Sequence, residues 1–594
     1  MPSPGVEDFD LDSIILSSKT FTLEFSSSET LSTIAQFTIE PAEDTENLVQ
    51  KADLLSEFTG SEASLSQARQ WLSHCVTFHN HHRSWDSDQW KSPTRVIDIG
   101  SATSDMEPRL IQTENKPLKD GYITLSHCWG SMQSLRLELG NEEDFQRSIP
   151  LTRLPLTFRH AITVARALLV QYIWIDALCI IQDSAEDWGR EAEMMEKVYR
   201  RSLCNIAASD SKDGSGGLFF SRDKDTIAPY RFTCECDGVS NKSFYLTVGE
   251  AFWRSELQQS PLYRRAWVLQ EQLLAPRTLH FTKEGIAWEC HDLTASELYP
   301  FGLHGLRLDS TIMQLRETIS QSGSLVLLGE THKSLGTSAL PVDPGDFLLS
   351  WGLVVEMYTE CALTFPGDKL VAIAGVTQPF TQMLGEHLAG LWRYYLPFEL
   401  LWSVDSSLGD VAVRPSQYRA PSWSWASVEG PVSYIMVKQA YGLLDNGIFP
   451  WATVIDAKVE YKPGSQAEVV GGSLSIKGRL GQCTWRILAG FVATITSVAN
   501  VDGLSDGASP TTLWDDAYIY FDEPEKINKL ERDTPSIFCL LLSVNDQPEG
   551  SCHLIGLVLR RDEHKYWRVG VFTTGNTEVY AAMKELAEQT ISIL

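Results

Sequence analysis

Short apolar runs alternate with amphipathic stretches through the first half of the chain. "RVIDIG" (95–100), "YITLSHCW" (122–129), "YIWIDALCII" (172–181) and "LCNIAAS" (203–209) are compact and bounded by polar residues, a pattern that predicts strands. "LTFRHAITVARALLV" (156–170) and "EDWGREAEMMEKVYRR" (186–201) repeat apolar positions every three to four residues and predict helices. Strands alternating with helices imply a mostly parallel sheet covered on both faces, at roughly 90–300. A further helix, "SLSQARQWLSHCVTFHNHH" (64–82), precedes it. "SDSKDGSGGLFFSRD" (209–223) reads as a long loop, and "FLLSWGLVVEMYTECAL" (347–363) as a helix. After 430 the texture changes to short strands such as "SLSIKGRL", "IFCLLLSV", "CHLIGLVLRR" and "YWRVGVFTTG", closed by a helix in "TEVYAAMKELAEQ". The expected organisation is a polar lead-in over 1–60, an α/β domain with its preceding helix over 61–300, a mainly helical extension over 301–430 and a β-rich domain over 431–594.

The candidate chemistry lies where the third strand hands over to its helix. Ser184 followed by Asp187 is a capping-box-like start, so the helix is expected to begin near 185. At about 100° per residue, Trp188, Ala192, Met195 and Tyr199 form the stripe facing the sheet, while Glu186, Arg190 and Glu193 point to solvent. Glu191 falls on the shoulder of that stripe. Asp176 stands where a parallel strand reaches its carboxyl end, and ligands of open α/β sheets bind outside those ends. Asp176, Asp183 and Glu191 can therefore surround one crevice, as acid–base groups or as stabilisers of developing positive charge. The same pattern is equally met if Asp176 and Asp183 cap loops and Glu191 pairs with an arginine.

Other residues carry weaker signals. Ser126, His127 and Cys128 are adjacent, but neighbours on a strand point to opposite faces, and no nucleophile elbow surrounds them. Cys75, His79 and His82 have metal-like spacing without a convincing fourth ligand nearby, so no metal is expected. Arg265 and Arg277 flank Glu271, which suits a buried brace, with an arginine facing the crevice also suited to phosphate. Trp423 and Trp425 of "APSWSWASV" would share one strand face, as core or interface.

Composition narrows the function classes. Of 594 residues, 49 are Lys or Arg and 77 Asp or Glu, giving a net charge of −28. Such a surface repels nucleic acid and anionic membranes, and the sequence shows no long basic run to offset it. Eleven cysteines scattered over this length suit reduced thiols in an intracellular, cytoplasmic setting. "MPSPGVEDFDLDS" lacks a secretory pattern, and no apolar run reaches the ~18 residues of a membrane span. The phosphate-cradling loop of nucleotide-driven switches is absent.

Taken together, "YITLSHCWG", "LPLTFRHAITVARALLVQYIWIDALCIIQDSAEDWGREAEMMEKVY" and "PLYRRAWVLQEQLLAPRTLHF" resemble the fungal heterokaryon incompatibility (HET) domain, in its usual order. "RVIDIG", "GDKLVAIAGV", "EHLAGLW" and "YRAPSWSWASVEGPV" are similar to what surrounds that domain in long members, so the resemblance spans about 70–435. Members often carry C-x-x-x-H-x-x-C in the preceding helix, where this chain has His82 in the last position. The resemblance implies non-self recognition and regulated cell death. It also implies distant similarity to Toll/interleukin-1 receptor (TIR) domains, hence a TIR/flavodoxin-like sheet domain with added helices beside the β-rich domain. Some TIR domains cleave NAD with a glutamate placed shortly after a Trp, a pattern that Trp188 and Glu191 approximate.

On that reading Glu191 is the catalytic acid and Asp176 supports it, while Ser126, His127, Trp129, Asp183, Trp188 and Arg265 line a dinucleotide site with NAD as substrate rather than cofactor. Two alternatives stay open: a non-enzymatic module acting by self-association or through a signalling partner, and a cleft reused for another small-molecule reaction.

Overall fold

A computed structural model describes residues 21–26, 33–41, 55–79, most of 92–130, 135–234, 242–247, 257 and 259–302, part of 312–319, 344–405, 412–442, most of 450–489, 492–500, 517–523, 536–546 and 552–594. Most of the 1–60 lead-in and His82 lie outside these residues. Within the lead-in, β1 (Phe21–Ser26) pairs antiparallel with β2 (Thr33–Pro41).

The first domain is built on α1 (Glu62–Phe78), β3 (Arg95–Asp98), β4 (Arg109–Gln112), β5 (Ile123–Ser126), α2 (Leu156–Ala167), β6 (Tyr172–Trp174), α3 (Ala185–Arg200) and β7 (Cys204–Ala207). β8 (Tyr230–Cys234) and β9 (Lys242–Thr247) join β1 and β2 in a small sheet of order β1-β2-β9-β8. The domain then closes with α4 (Ala266–Leu274), β10 (Arg277–Phe281), β11 (Ile286–Cys290) and β12 (Thr294–Ser296).

Its eight strands run in the order β12-β11-β10-β7-β5-β6-β3-β4. Only the central four, β6, β5, β7 and β10, are mutually parallel. Antiparallel pairs flank them, β3 with β6 and β4 on one side and β10–β11–β12 on the other. The sheet is thus mixed, where the alternating pattern predicted a mostly parallel one. The reason is loop length: four residues join β10 to β11 and three join β11 to β12, enough for a hairpin and far too few for a parallel crossover.

"YIWIDALCII" departs from its predicted form as well. The strand stops at Trp174, and Asp176 opens one turn of helix, its Oδ1 accepting from Ala177 N at 2.7 Å. A short carboxylate that satisfies an orphan N–H favours a helix start over strand continuation. α3 starts at Ala185 as predicted, with Ser184 Oγ accepting from Asp187 N at 3.2 Å.

The extension carries α5 (Pro344–Thr359) and α6 (Ala374–Leu384). Trp423 and Trp425 are fully buried there, but Trp425 opens a turn of 3-10 helix and Trp423 lies in the turn before it, so neither is on a strand face. Trp425 Nε1 donates to Gly390 O at 2.8 Å, and Trp423 O accepts from Trp402 Nε1 at 2.9 Å.

The C-terminal domain contains β13 (Ala452–Tyr461), β14 (Val469–Ala489), β15 (Val492–Asn500), β16 (Ala517–Phe521), β17 (Ser536–Asp546), β18 (Cys552–Asp562), β19 (Lys565–Thr574), α7 (Thr577–Glu585) and β20 (Glu588–Ile593). β14 bonds both β15 and β17, so the path β14-β15-β16-β19-β18-β17 closes on itself. Closure leaves those strands without a free edge.

It also explains the unbroken apolar run of β17. Ile537, Cys539 and Leu541 face an inner core with Val579 and Met583 of α7, while Phe538, Leu540 and Leu542 face the core shared with the extension. Buried charge locks this second contact. Arg568 lies over the Trp402 ring at 3.2 Å and pairs with Asp522 at 3.2 Å, which Arg414 also reaches at 2.8 Å. Asp522→Asn is expected to lower unfolding free energy by about 2 kcal/mol, the usual cost of losing hydrogen bonds to a charged group, read by urea titration. A change under a few tenths would show that the pair contributes nothing.

Candidate functional site

β5, β6 and β7 end at Ser126, Trp174 and Ala207 on one edge of the sheet, because the three are parallel. The chain leaves β5 toward β6 and leaves β7 toward β10, in opposite directions. The gap between β5 and β7 is therefore the topological switch point, where open α/β sheets place ligands.

Asp176, two residues beyond β6, is the hub of this edge. Its Oδ2 accepts from Trp129 Nε1 at 2.7 Å, its Oδ1 lies 3.6 Å from His127 Nδ1, and its carbonyl accepts from Gln182 Nε2 at 3.1 Å. Its side chain keeps 22% exposure, and Trp129 is also partly exposed. Arg265 reaches in from the residue before α4 and donates to His127 O at 2.5 Å. His127 itself is buried between Trp129, stacked at 6.2 Å, and Phe158 of α2, edge-on at 4.9 Å. Burial holds its imidazole below the ordinary value, against a smaller upward pull from Asp176.

Ser126 points to the other face. Its hydroxyl meets the Asn205 side chain, with Asn205 Nδ2 donating at 2.9 Å. The adjacent Cys128 thiol is pushed up by burial, with Arg265 opposing. Ser126 and His127 thus share no hydrogen bond, and the nucleophile arrangement is not built.

Beneath Ser126, α4 presents Glu271, buried beside Tyr199. Burial pushes its carboxyl up to about 8, with Asp176 adding to the rise and Ser126, Arg265 and Tyr199 opposing it. Its Oε2 has no hydrogen-bond partner among the described residues. The sequence reading treated Glu271 as a brace; its apolar flanks on α4 were the available signal that it faces inward.

Three expected site residues are placed elsewhere. Glu191 is not on a shoulder but on the buried face of α3, with 1% of its side chain exposed. Asp187 and Glu191 join the expected Met195 and Tyr199 on the buried side, because β3 presents Arg95 to that face. Arg95 donates to both carboxylate oxygens of Asp187, at 3.2 and 3.3 Å through one nitrogen, and lies 3.9 Å from Glu191 Oε1. Burial raises the Glu191 carboxyl, with Thr94 and Arg95 opposing.

Asp183 is exposed and caps a loop, accepting from Leu139 N at 2.9 Å. Trp188 packs edge-on against Trp267 of α4 at 6.1 Å, at the helix–helix contact rather than at the strand ends. Glu186, Arg190 and Glu193 are exposed as expected. The structure therefore brings His127, Trp129, Asp176 and Arg265 together, with Ser126 and Glu271 below, and leaves Asp183, Trp188 and Glu191 out.

A cavity lined by Leu55, Arg222, Glu297 and Tyr299 lies at the β11–β12 edge, where Arg222 and Glu297 satisfy each other. It is remote from the Asp176 cluster. No helix among the described residues is long and apolar enough to cross a membrane.

No curated protein and no solved structure matches this chain. Residues 122–271 match the family described as Heterokaryon incompatibility protein (HET), a span that opens on Tyr122 before β5 and ends on Glu271 of α4. Every residue of the Asp176 cluster falls inside it, and residues 122–271 of this chain are a HET domain.

Proposed function

We propose that the chain acts in heterokaryon incompatibility, as a non-self recognition protein, and that the working surface of its HET domain is the crevice around Asp176. One observation carries this reading. His127, Trp129, Asp176 and Arg265 come from three separate stretches of the matched span and converge at the switch point, with Asp176 and Trp129 still open to solvent.

The finer reading is a dinucleotide site that cleaves the N-glycosidic bond of NAD. The parallel strands follow the order 2-1-3-4 in chain sequence, as at the start of flavodoxin-like sheets, and TIR-like kinship belongs to the same proposal. Glu191 is withdrawn from the role of catalyst by its burial against Arg95. Asp176 takes its place, orienting the ribose and stabilising the oxocarbenium-like charge as nicotinamide leaves. Trp129 offers a ring face, and Arg265 the charge for a phosphate.

Purified chain incubated with NAD should release nicotinamide, and Asp176→Asn should cut the rate by about 100-fold, the usual loss for one stabilising group, with unfolding unchanged. Equal release by parent and variant would sink Asp176 as the catalyst. Absence of release from the parent would end the NAD reading; growth arrest on expression in a filamentous fungus, lost in Asp176→Asn, would then still support the recognition role. Arrest that survives the substitution would move that role away from the crevice, toward self-association.

A further inference from the structure

α1 and β11 pack with matched steps. Four residues of helix rise about 6 Å and two residues of strand about 6.8 Å, so residues 71, 75 and 79 can meet 288, 290 and 292 in turn. The first pair is aromatic, Trp71 against Trp288 at 6.4 Å. The second brings Cys75 to Cys290, both fully buried. At the third, His79 at the helix end lies 3.5 Å by its Nδ1 from Cys290 Sγ and 3.8 Å from an Asp292 oxygen, at the edge of solvent.

The ligand atoms of Cys75, His79 and Cys290 all lie within 4.8 Å of one another. Metal–sulfur and metal–nitrogen bonds of about 2.3 and 2.05 Å at a tetrahedral angle put the S···N edge at about 3.6 Å, which the His79–Cys290 contact already meets. Two thiolates and an imidazole favour zinc among common divalent ions. Fully buried Arg277 donates its Nε–H to Cys75 Sγ at 3.0 Å, the outer contact that a metal-bound thiolate accepts.

We propose that Cys75, His79 and Cys290 bind one structural zinc ion, with the fourth position facing solvent beside Asp292. The ion ties α1 to β11, two elements that lie on either side of the 122–271 span in sequence and outside it. On binding, the two thiols and the imidazole coordinate as thiolates and neutral nitrogen, and the two thiol protons go to solvent. This site is independent of the Asp176 crevice and of any reaction there. It also departs from the expectation of no metal: the sequence showed two ligands on α1, while the third comes from a strand more than two hundred residues away.

The full chain, expressed with zinc and purified without chelator, should carry close to one zinc per chain by elemental analysis. His79→Ala and Cys290→Ser should lose it, and Cys361→Ser, away from the site, should keep it. Because Cys290 is buried and its variant could fail to fold, metal-stripped parent should also be titrated with cobalt(II), giving a thiolate-to-cobalt absorption band that saturates at one equivalent. A parent with less than about a tenth of a zinc and no cobalt band overturns the proposal. So does retention of zinc by His79→Ala, or a parent mass lower by two hydrogens that reduction restores, which would mean a Cys75–Cys290 disulfide instead.

Discussion

Arg95→Leu is expected to destabilise the first domain by about 3–5 kcal/mol, a large fraction of the stability of an ordinary domain. Arg95, Asp187 and Glu191 are all buried, and Arg95 is the buried cation facing both acids, while the half-exposed Arg190 also reaches Asp187 and lies 3.4 Å from Glu191. Removing Arg95 leaves both carboxylates in the low-dielectric layer between α3 and β3, and Asp187 also loses its buried cation. Ile181 N at 2.8 Å and the half-exposed Arg190 remain on Asp187, and neither restores a buried counter-charge.

Glu191→Gln should behave differently. Asp187 already makes the two-pronged contact with Arg95, whereas Glu191 stands 3.9 Å away with its carboxyl raised by burial. An amide of the same shape keeps a hydrogen-bonding oxygen and relieves repulsion from Asp187, so the change stays within about 1 kcal/mol. Urea unfolding of both variants checks this. A loss for Glu191→Gln as large as that for Arg95→Leu would mean that the glutamate, not the aspartate, is the principal partner.

The second large effect is a fall in stability with rising pH. Glu271 is buried, and burial pushes its carboxyl up to about 8 in the folded chain against an ordinary 4.5. Below 4.5 both folded and unfolded states hold the proton. Between 4.5 and about 8 the unfolded chain gives it up while the folded chain keeps it, so folding takes up a proton and stability falls as pH rises through that window. Glu399, buried against Trp392 N and Tyr434, is likewise pushed up to about 8 and acts in the same sense.

Glu271→Gln should therefore flatten part of the fall in Tm between pH 5 and 8.5. At pH 8 it should leave the variant at least about 2–4 °C above the parent, the shift that 1 kcal/mol produces in a domain of 150–250 residues. Superimposable Tm profiles for parent and variant would show that Glu271 ionises normally.

The positions of most elements in the first domain and of the strands in the last were legible from local pattern. Ser184 and Asp187 mark the start of α3 because a cap is made within four residues. The solvated face of α3 was legible for the same reason, as was the caution over Ser126 and His127. β10, β11 and β12 were not read as strands from local pattern, so the hairpins that make the sheet mixed were missed with them.

Met195 and Tyr199 of the expected inward stripe of α3 are buried, but the two acids that join them, Asp187 and Glu191, were not legible there. Helical periodicity ranks residues by apolarity, so it put Glu191 only on the shoulder and gave Asp187 only a capping role, with no sign of the buried cation that meets both. That cation, Arg95, sits more than ninety residues away in sequence. Asp183 and Trp188 were displaced in the same way, one by the Leu139 amide and the other by Trp267.

What the chain by itself determined is therefore the placement of its helices and strands, the HET span and the Asp176 strand end, since each depends on neighbours within a turn or a strand length. Only the tertiary structure decided which carboxylate stays open at the switch point, which is buried neutral on α4, and which thiol completes the Cys75–His79 pair. Burial and pairing of charge depend on partners that the chain brings together across long loops, and hydrophobic periodicity carries no record of them.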